Sequence, residues 1–322
     1  MIVFIGPNRQ RSNAKHLSDF ANAPKIKHKT YNWLFRTFRI PAATYIFAAV
    51  DRLDFNERRL AGKVYRHINA AGKGYKALND PAHAKGRFAL LRGLYEAGMN
   101  DFNAYEGSSN PHPARFPVFI RRGHNSGAPL GGLINSQAEL DAAIKRLSRQ
   151  AEPLGDLVVI EYCAEQLAPG VFQKVSLHYI NGCKFQSYTY YDDQWIVKYG
   201  LRNFMSDKEH LADRERMHAN VYADHFERVF QLAKIEYGRA DFGFYCGRPQ
   251  TYEINFHPIC GFSKSLAPNT IRQENEEFIV RQRVAALIEL DEDATGSIDN
   301  ISDPEIAAFR MRPWRNYAPQ RY

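Results

Sequence analysis

The sequence predicts an α/β protein built in lobes, and three observations carry that expectation. Short apolar runs such as MIVFIG at 1–6 and TYIFAAV at 44–50 read as buried strands, amphipathic helical periods alternate with strands along the chain, and an alternating hairpin pattern occupies 239–258. With 322 residues, 44% hydrophobic and 13% aromatic, the chain has the material for a sizeable core in two or three lobes.

The first lobe is a short α/β unit over 1–76 that contains both buried strands. Further on, Ser136 and Glu139 have the spacing of a capping box and open a helix that buries Leu140, Ile144 and Leu147. PLGD at 153–156 turns the chain into the next strand. One long helix is expected from Ser206 to Tyr237, with Val221, Phe226, Val229, Phe230 and Ala233 on its apolar side and Gly238 as its stop. A last helix covers roughly 273–290, and 293–322 form a tail. No internal repeat or low-complexity linker interrupts this order.

The most informative stretch is RADFGFYCGRPQTYEINFHP at 239–258. In a strand Glu253 and Asn255 leave from one face, and Tyr252, Ile254 and Phe256 from the other. Asp241, Gly243 and Tyr245 alternate with Phe242 and Phe244 in the same way, and CGRP at 246–249 reads as the turn. For Phe242 and Phe244 to share a core with Tyr252 and Ile254, the hairpin needs an odd loop or a bulge, which also brings Asp241 beside Glu253 and Asn255. Three oxygen-donating side chains on one face suit magnesium or manganese, which complete their octahedron with water or phosphate oxygens. A merely solvated face is the plainer reading. Asp and Asn are poor strand formers, however, and threonine or lysine would serve solvation better.

This segment resembles the C-terminal signature of the ATP-grasp superfamily, where a strand Asp and a later Glu-x-Asn pair, followed by Pro, hold magnesium against ATP phosphates; the matching residues are Asp241, Glu253, Asn255 and Pro258. Upstream, LNDP at 78–81 with Lys85 and LLRGLYEAG at 90–98 is similar to the segment in which a Lys before a helix touches the nucleotide. FPVFIRR at 116–122 and GHNSGAPLGG at 123–132 resemble the next strand and the phosphate-covering loop, VVIEYC at 158–163 the hinge strand beside adenine, and VSLHYINGCKF at 175–185 the hairpin that follows. The likeness spans roughly 78–290, nearest to the glutathione synthetase and RimK-type branch. It implies a central subdomain over 77–157 and a C-terminal subdomain over 158–292, clamping ATP between them.

The resemblance also implies roles. Asp241, Glu253 and Asn255 would hold magnesium or manganese; Lys85, Arg121, Glu161, Lys198 and the loop residue Gly127 would surround ATP; Arg239 and His257 would act near the transferred group. Lys174 occupies a position often basic in such proteins. The chain departs from the pattern at Arg121, where the family carries a phosphate-binding lysine, and arginine clamps phosphate as a fork instead of a point charge. The implied reaction is ATP-dependent activation of a carboxylate as an acylphosphate, attacked by an amine or another nucleophile. Two alternatives stay open: a kinase of the same fold, and a degenerate relative that binds an acidic partner through its basic surface.

Composition limits the other classes. The net charge of +8 and pI near 9.2 are spread along the chain, so they ask for an anionic partner without marking a nucleic-acid arm. Basic residues do gather at Lys25, Lys27, His28 and Lys29, and at Arg310, Arg312, Arg315 and Arg321 among Trp314, Tyr317 and Tyr322; a strap over the last lobe is the expectation for that tail, not nucleic-acid binding. Cys163, Cys183, Cys246 and Cys260 show neither zinc nor disulfide spacing. The longest apolar run, at 40–50, is too short to span a bilayer, and the N-terminus lacks signal-peptide character, so a cytoplasmic protein is expected. Homo-oligomerisation is common among the proteins it resembles, and the acceptor is not legible.

Overall fold

Three larger sheets and a two-stranded one, with their helices, make up the computed structural model, which describes residues 1–20, 22–124, 127–198, 205–258, 269–292 and 294–311. The N-terminal lobe contains β1 (Ile2–Ile5), β2 (Ile26–Lys29), α1 (Tyr31–Arg36), β3 (Arg39–Pro41), β4 (Ala43–Phe47), α2 (Phe55–Ala70) and β5 (Tyr75–Leu78). Its parallel sheet runs β2-β1-β4-β5. Every residue of β1 and β4 is buried, the pattern of a parallel sheet covered on both faces. Helix α2 starts on a full capping box, in which Asp54 accepts from the Glu57 amide at 2.8 Å and Glu57 accepts from the Asp54 amide at 3.2 Å.

The central unit comprises α3 (Arg87–Glu96), β6 (Ala104–Glu106), β7 (Val118–Arg122), α4 (Gln137–Arg149) and β8 (Leu157–Glu161), with sheet order β6-β8-β7. Strand β8 therefore belongs to the central unit, and the expected boundary at 157/158 falls inside it. Pairing explains this: β8 is antiparallel to both β6 and β7, and Leu157 and Val159 share a core with Val118, Ile120, Leu140 and Leu147. Helix α4 begins at Ser136, whose hydroxyl accepts from the Glu139 amide at 3.3 Å; the Glu139 carboxylate reaches the Asn135 amide instead of closing the box on Ser136.

The third unit contains β9 (Gln166–Ala168), β10 (Val171–Ile180), β11 (Cys183–Asp192), α5 (Asp207–Ala219), α6 (Ala223–Ala233), β12 (Tyr237–Tyr245), β13 (Arg248–Asn255) and α7 (Thr270–Glu289). Its sheet runs β11-β10-β12-β13, with β9 on β10. The single helix expected over 206–237 is two helices. Asn220 adopts φ 44° and ends α5, and Val221, expected on the apolar face, is 69% exposed. Phe226, Val229, Phe230 and Ala233 of α6 are buried under the sheet as expected, and α6 ends at Lys234, in left-handed backbone, before Gly238 is reached.

After α7 the chain returns to the N-terminal lobe, not over the last one. β14 (Ser297–Asp299) pairs with β3, and α8 (Pro304–Met311) packs Phe309 on Phe35 and anchors Glu305 and Asp303 to Arg59 and Lys63. Arg310 lies over Phe38 and donates to the Thr37 carbonyl, so its charge belongs to this clasp. Arg312, Arg315, Arg321, Trp314, Tyr317 and Tyr322 lie outside the described residues. Cys163, Cys183 and Cys246 are free thiols, and Cys260 is outside the described residues. No helix among the described residues is long and apolar enough to cross a membrane.

Candidate functional site

The hairpin β12–β13 sets the site. Asp241 pairs directly with Glu253 and Arg239 with Asn255, and the register slips between Asp241 and Phe242, so the expected bulge is present. The turn is only Cys246 and Gly247, both at positive φ, as a tight two-residue hairpin requires. The bulge has one effect that alternation hides: Tyr252, expected on the face opposite Glu253, lines the same cleft as Glu253 and donates to the Cys163 carbonyl at 3.2 Å. Gly243 makes room for it, since a Cβ there would stand 2.4 Å from the Tyr252 oxygen. Gly243→Ala should therefore displace the tyrosine ring, an outcome visible as a changed near-ultraviolet dichroism spectrum with the fold retained.

Between the central sheet and the β10–β13 sheet lies a cleft of about 940 Å³, open mouth included. Phe102, Phe119, Ile160, Tyr162, Trp195 and Tyr252 supply its apolar and aromatic walls. Trp195 packs at 5.0 Å from Phe119 and 5.7 Å from Tyr162, between the two lobes of the clamp. Arg121, Gly127, Lys174, Lys198, Asp241 and Glu253 line the rest. An aromatic slot that opens onto a charged floor suits a ligand with a flat ring and an anionic tail.

On that floor each carboxylate has two cationic neighbours. Arg239 forks onto Asp241 at 2.8 and 3.0 Å, Lys174 stands 3.6 Å away, and Ser176 donates its hydroxyl at 2.9 Å. Burial alone would raise the Asp241 carboxyl, but Arg239, Lys174 and Ser176 outweigh it and hold the group below the usual range. Glu253 accepts from the Arg87 guanidinium, with Arg121 at 3.7 Å, and these two cations likewise outweigh burial and keep it ionised. Arg121 donates to the Gly127 carbonyl at 2.9 Å and is pushed down to about 10 by burial and by Arg87. Asn255 has a buried Nδ2 without a hydrogen-bond partner among the described residues. The two ionised carboxylates line the cleft and are oxygen donors of the kind that magnesium accepts, whereas Asn255, two residues along β13 from Glu253, is not among the lining residues. Among the described residues no group of three or more His, Cys, Asp or Glu side chains gathers as a cage, so such an ion would need ligand oxygens or water to complete its shell.

The other expected residues are distributed unevenly. Lys198 lines the cleft, and its carbonyl lies 3.5 Å from the Lys174 amine. Glu161 also lines it, but its carboxylate is occupied by the amides of Asn103 and Ala114, the Tyr105 hydroxyl and Arg115. It therefore braces β8 against the neighbouring loop. Lys85 is not among the lining residues; its amine lies toward Gly93 of α3. Two residues later, Arg87 reaches Glu253 and the Arg122 carbonyl, a role the sequence reading missed. Asp51, half-buried beyond β4 and pushed up to about 6 by burial against the pull of Arg87, was missed as well.

His257 is stacked on Phe4 at 5.3 Å, with His28 beyond at 6.0 Å, and meets the Gln10 side chain at 3.3 Å. This position joins the end of β13 to the N-terminal lobe. Burial, helped by His28, pushes the imidazole down to about 3, so it stays neutral near pH 7 and is not poised there as a proton carrier. An unfolded chain protonates this group near pH 6.5, so the stability it contributes is complete above that pH and falls as the pH drops toward 3. Acid melting should show the native protein losing about 3 kcal/mol more than His257→Gln between pH 7 and pH 4.

No family model matches the chain, and no curated protein matches it. Among solved structures, the D-alanine-D-alanine ligase from Coxiella burnetii superposes with a TM-score of 0.51 at 13% identity, covering 91% of this chain and 95% of that one. The chain has the ATP-grasp fold. The D-alanine-D-alanine ligase from Bacillus anthracis complexed with ATP also matches, with 12% identity, TM-score 0.49 and coverage of 90% and 95%. So does the ATP-grasp ligase PsnB complexed with a phosphomimetic precursor variant, magnesium and ADP, with 13% identity, TM-score 0.48 and coverage of 87% and 96%. In this ATP-grasp fold, the cleft described above lies between the central and C-terminal sheets.

Proposed function

We propose that the protein is an ATP- and magnesium-dependent ligase that activates a carboxylate as an acylphosphate for attack by an amine or another nucleophile. The observation that supports it best is the direct pairing of Asp241 with Glu253 on the floor of an aromatic-walled cleft in an ATP-grasp fold. The ring end would take adenine between Phe119, Trp195 and Tyr252. Arg121, Lys174 and Lys198 would contact phosphates, with the glycine-rich segment at Gly127 over them.

Magnesium or manganese would be held by Asp241, Glu253 and Asn255, and would neutralise phosphate charge as the γ-phosphoryl group leaves. Arg239, fixed by its fork on Asp241, would orient the transferred group or the acceptor carboxylate. Little acid-base chemistry is needed on this route, so the neutral His257 fits it as a packing group between lobes. In a screen of carboxylate and amine pairs, the expected result is acceptor-dependent ADP release and, with hydroxylamine as nucleophile, a hydroxamate. ADP release without hydroxamate would favour a kinase. Nucleotide binding without any turnover would leave the degenerate binding protein as the better reading.

A further inference from the structure

Both carboxylates suited to a divalent ion are already held by cations of the chain itself. Arg87 is the least expected of these. It opens α3, is only 8% exposed, and is fixed at both ends of its fork, on the Arg122 carbonyl at 2.6 Å and on Glu253. Arg121 stands over the same carboxylate at 3.7 Å and is bonded to the Gly127 carbonyl. Arg87, Arg121, Arg239 and Lys174 together outnumber Glu253, Asp241 and the nearby Asp51, so positive charge is in excess, and a hydrated divalent ion meets that charge as repulsion. To reach Glu253 it must displace a buried arginine fork. A polyphosphate meets the opposite field, and it offers the arginines bidentate oxygens in exchange for the carboxylate.

We propose that Arg87, together with Arg121, is a polyphosphate clamp that keeps Glu253 closed to metal until nucleotide arrives. The cleft then binds metal-free nucleoside triphosphate first, and the divalent ion enters only the loaded site. This rests on the reading of the cleft as a nucleotide site. Arg87 passes from Glu253 to phosphate oxygens, Glu253 is released toward the metal position, and no covalent step is involved.

The test measures binding on the full chain, with ATP in EDTA, with ATP and magnesium, and with manganese alone followed by its paramagnetic resonance signal. Native protein is expected to bind ATP in EDTA and to leave manganese free when nucleotide is absent. Arg87→Gln should weaken metal-free ATP about tenfold while gaining manganese binding without nucleotide. Two shifts of opposite sign do not arise from a misfolded variant. Arg87→Lys, which keeps the charge and loses the fork, should fall between the two. Native protein that takes up manganese without nucleotide overturns the proposal, as does an Arg87→Gln variant with unchanged metal-free affinity. ATP binding only with magnesium overturns the order of binding but not the nucleotide site, whereas no ATP binding in either condition overturns both.

Discussion

Glu253→Gln should remove the magnesium-dependent part of ATP affinity: the native constant tightens when magnesium replaces EDTA, and in the variant the two constants converge. The variant keeps the shape of the residue but loses the negative charge that sits beside Asp241 in the hairpin register. Turnover, where an acceptor supports it, should fall on the order of a thousandfold, the scale for removing one preorganised group that stabilises transferring charge. Asp241→Asn should behave alike, with an added cost in stability because Arg239 and Lys174 are left without their carboxylate. Calorimetry in both buffers reads the first effect directly. A native-like magnesium response in Glu253→Gln contradicts the assignment.

The largest stability effect is expected at Asn79, outside the cleft lining. Asn79 is fully buried at φ 65°, donates to the carbonyls of Phe47 at 3.1 Å and Tyr237 at 2.9 Å, and accepts from the amides of Glu236 and Tyr237, each at 2.8 Å. Its own amide donates to the Glu236 carboxylate at 2.7 Å. One side chain thus joins the end of the N-terminal sheet to the start of β12, the strand that carries Arg239 and Asp241. Asn79→Ala leaves these backbone groups unpaired and puts alanine in left-handed backbone, a loss of about 3–4 kcal/mol. That is a large fraction of a typical domain's stability. Asn79→Gly keeps the backbone geometry and should recover about 1 kcal/mol of it. Denaturant unfolding of the three proteins checks the order.

Local chemistry was legible where side-chain period and turn residues decide the outcome. The parity of Phe242, Phe244 and Ile254 demanded a bulge or an odd loop, and the bulge is there. Alternation could not reveal that the bulge would swing Tyr252 to the face of Glu253, because the period assumes an unbroken strand. The break in the 206–237 helix carried a weak signal, Asn220, which tolerates left-handed backbone more readily than most residues. Arg87 carried one too: a cation in the first turn of α3 opposes the helix dipole, and Glu253 answers that cost. Long-range docking left no trace in the pattern. Neither the seating of His257 against Phe4 nor the return of α8 to α1 follows from any local spacing.

The nucleotide cleft is the claim on which the functional account depends, and calorimetric titration of the native protein with ATP and magnesium tests it most directly. The account predicts saturable binding at one site per chain, weakened about tenfold or more in Trp195→Ala, which removes an aromatic wall of the cleft. No binding with either magnesium or manganese would contradict it.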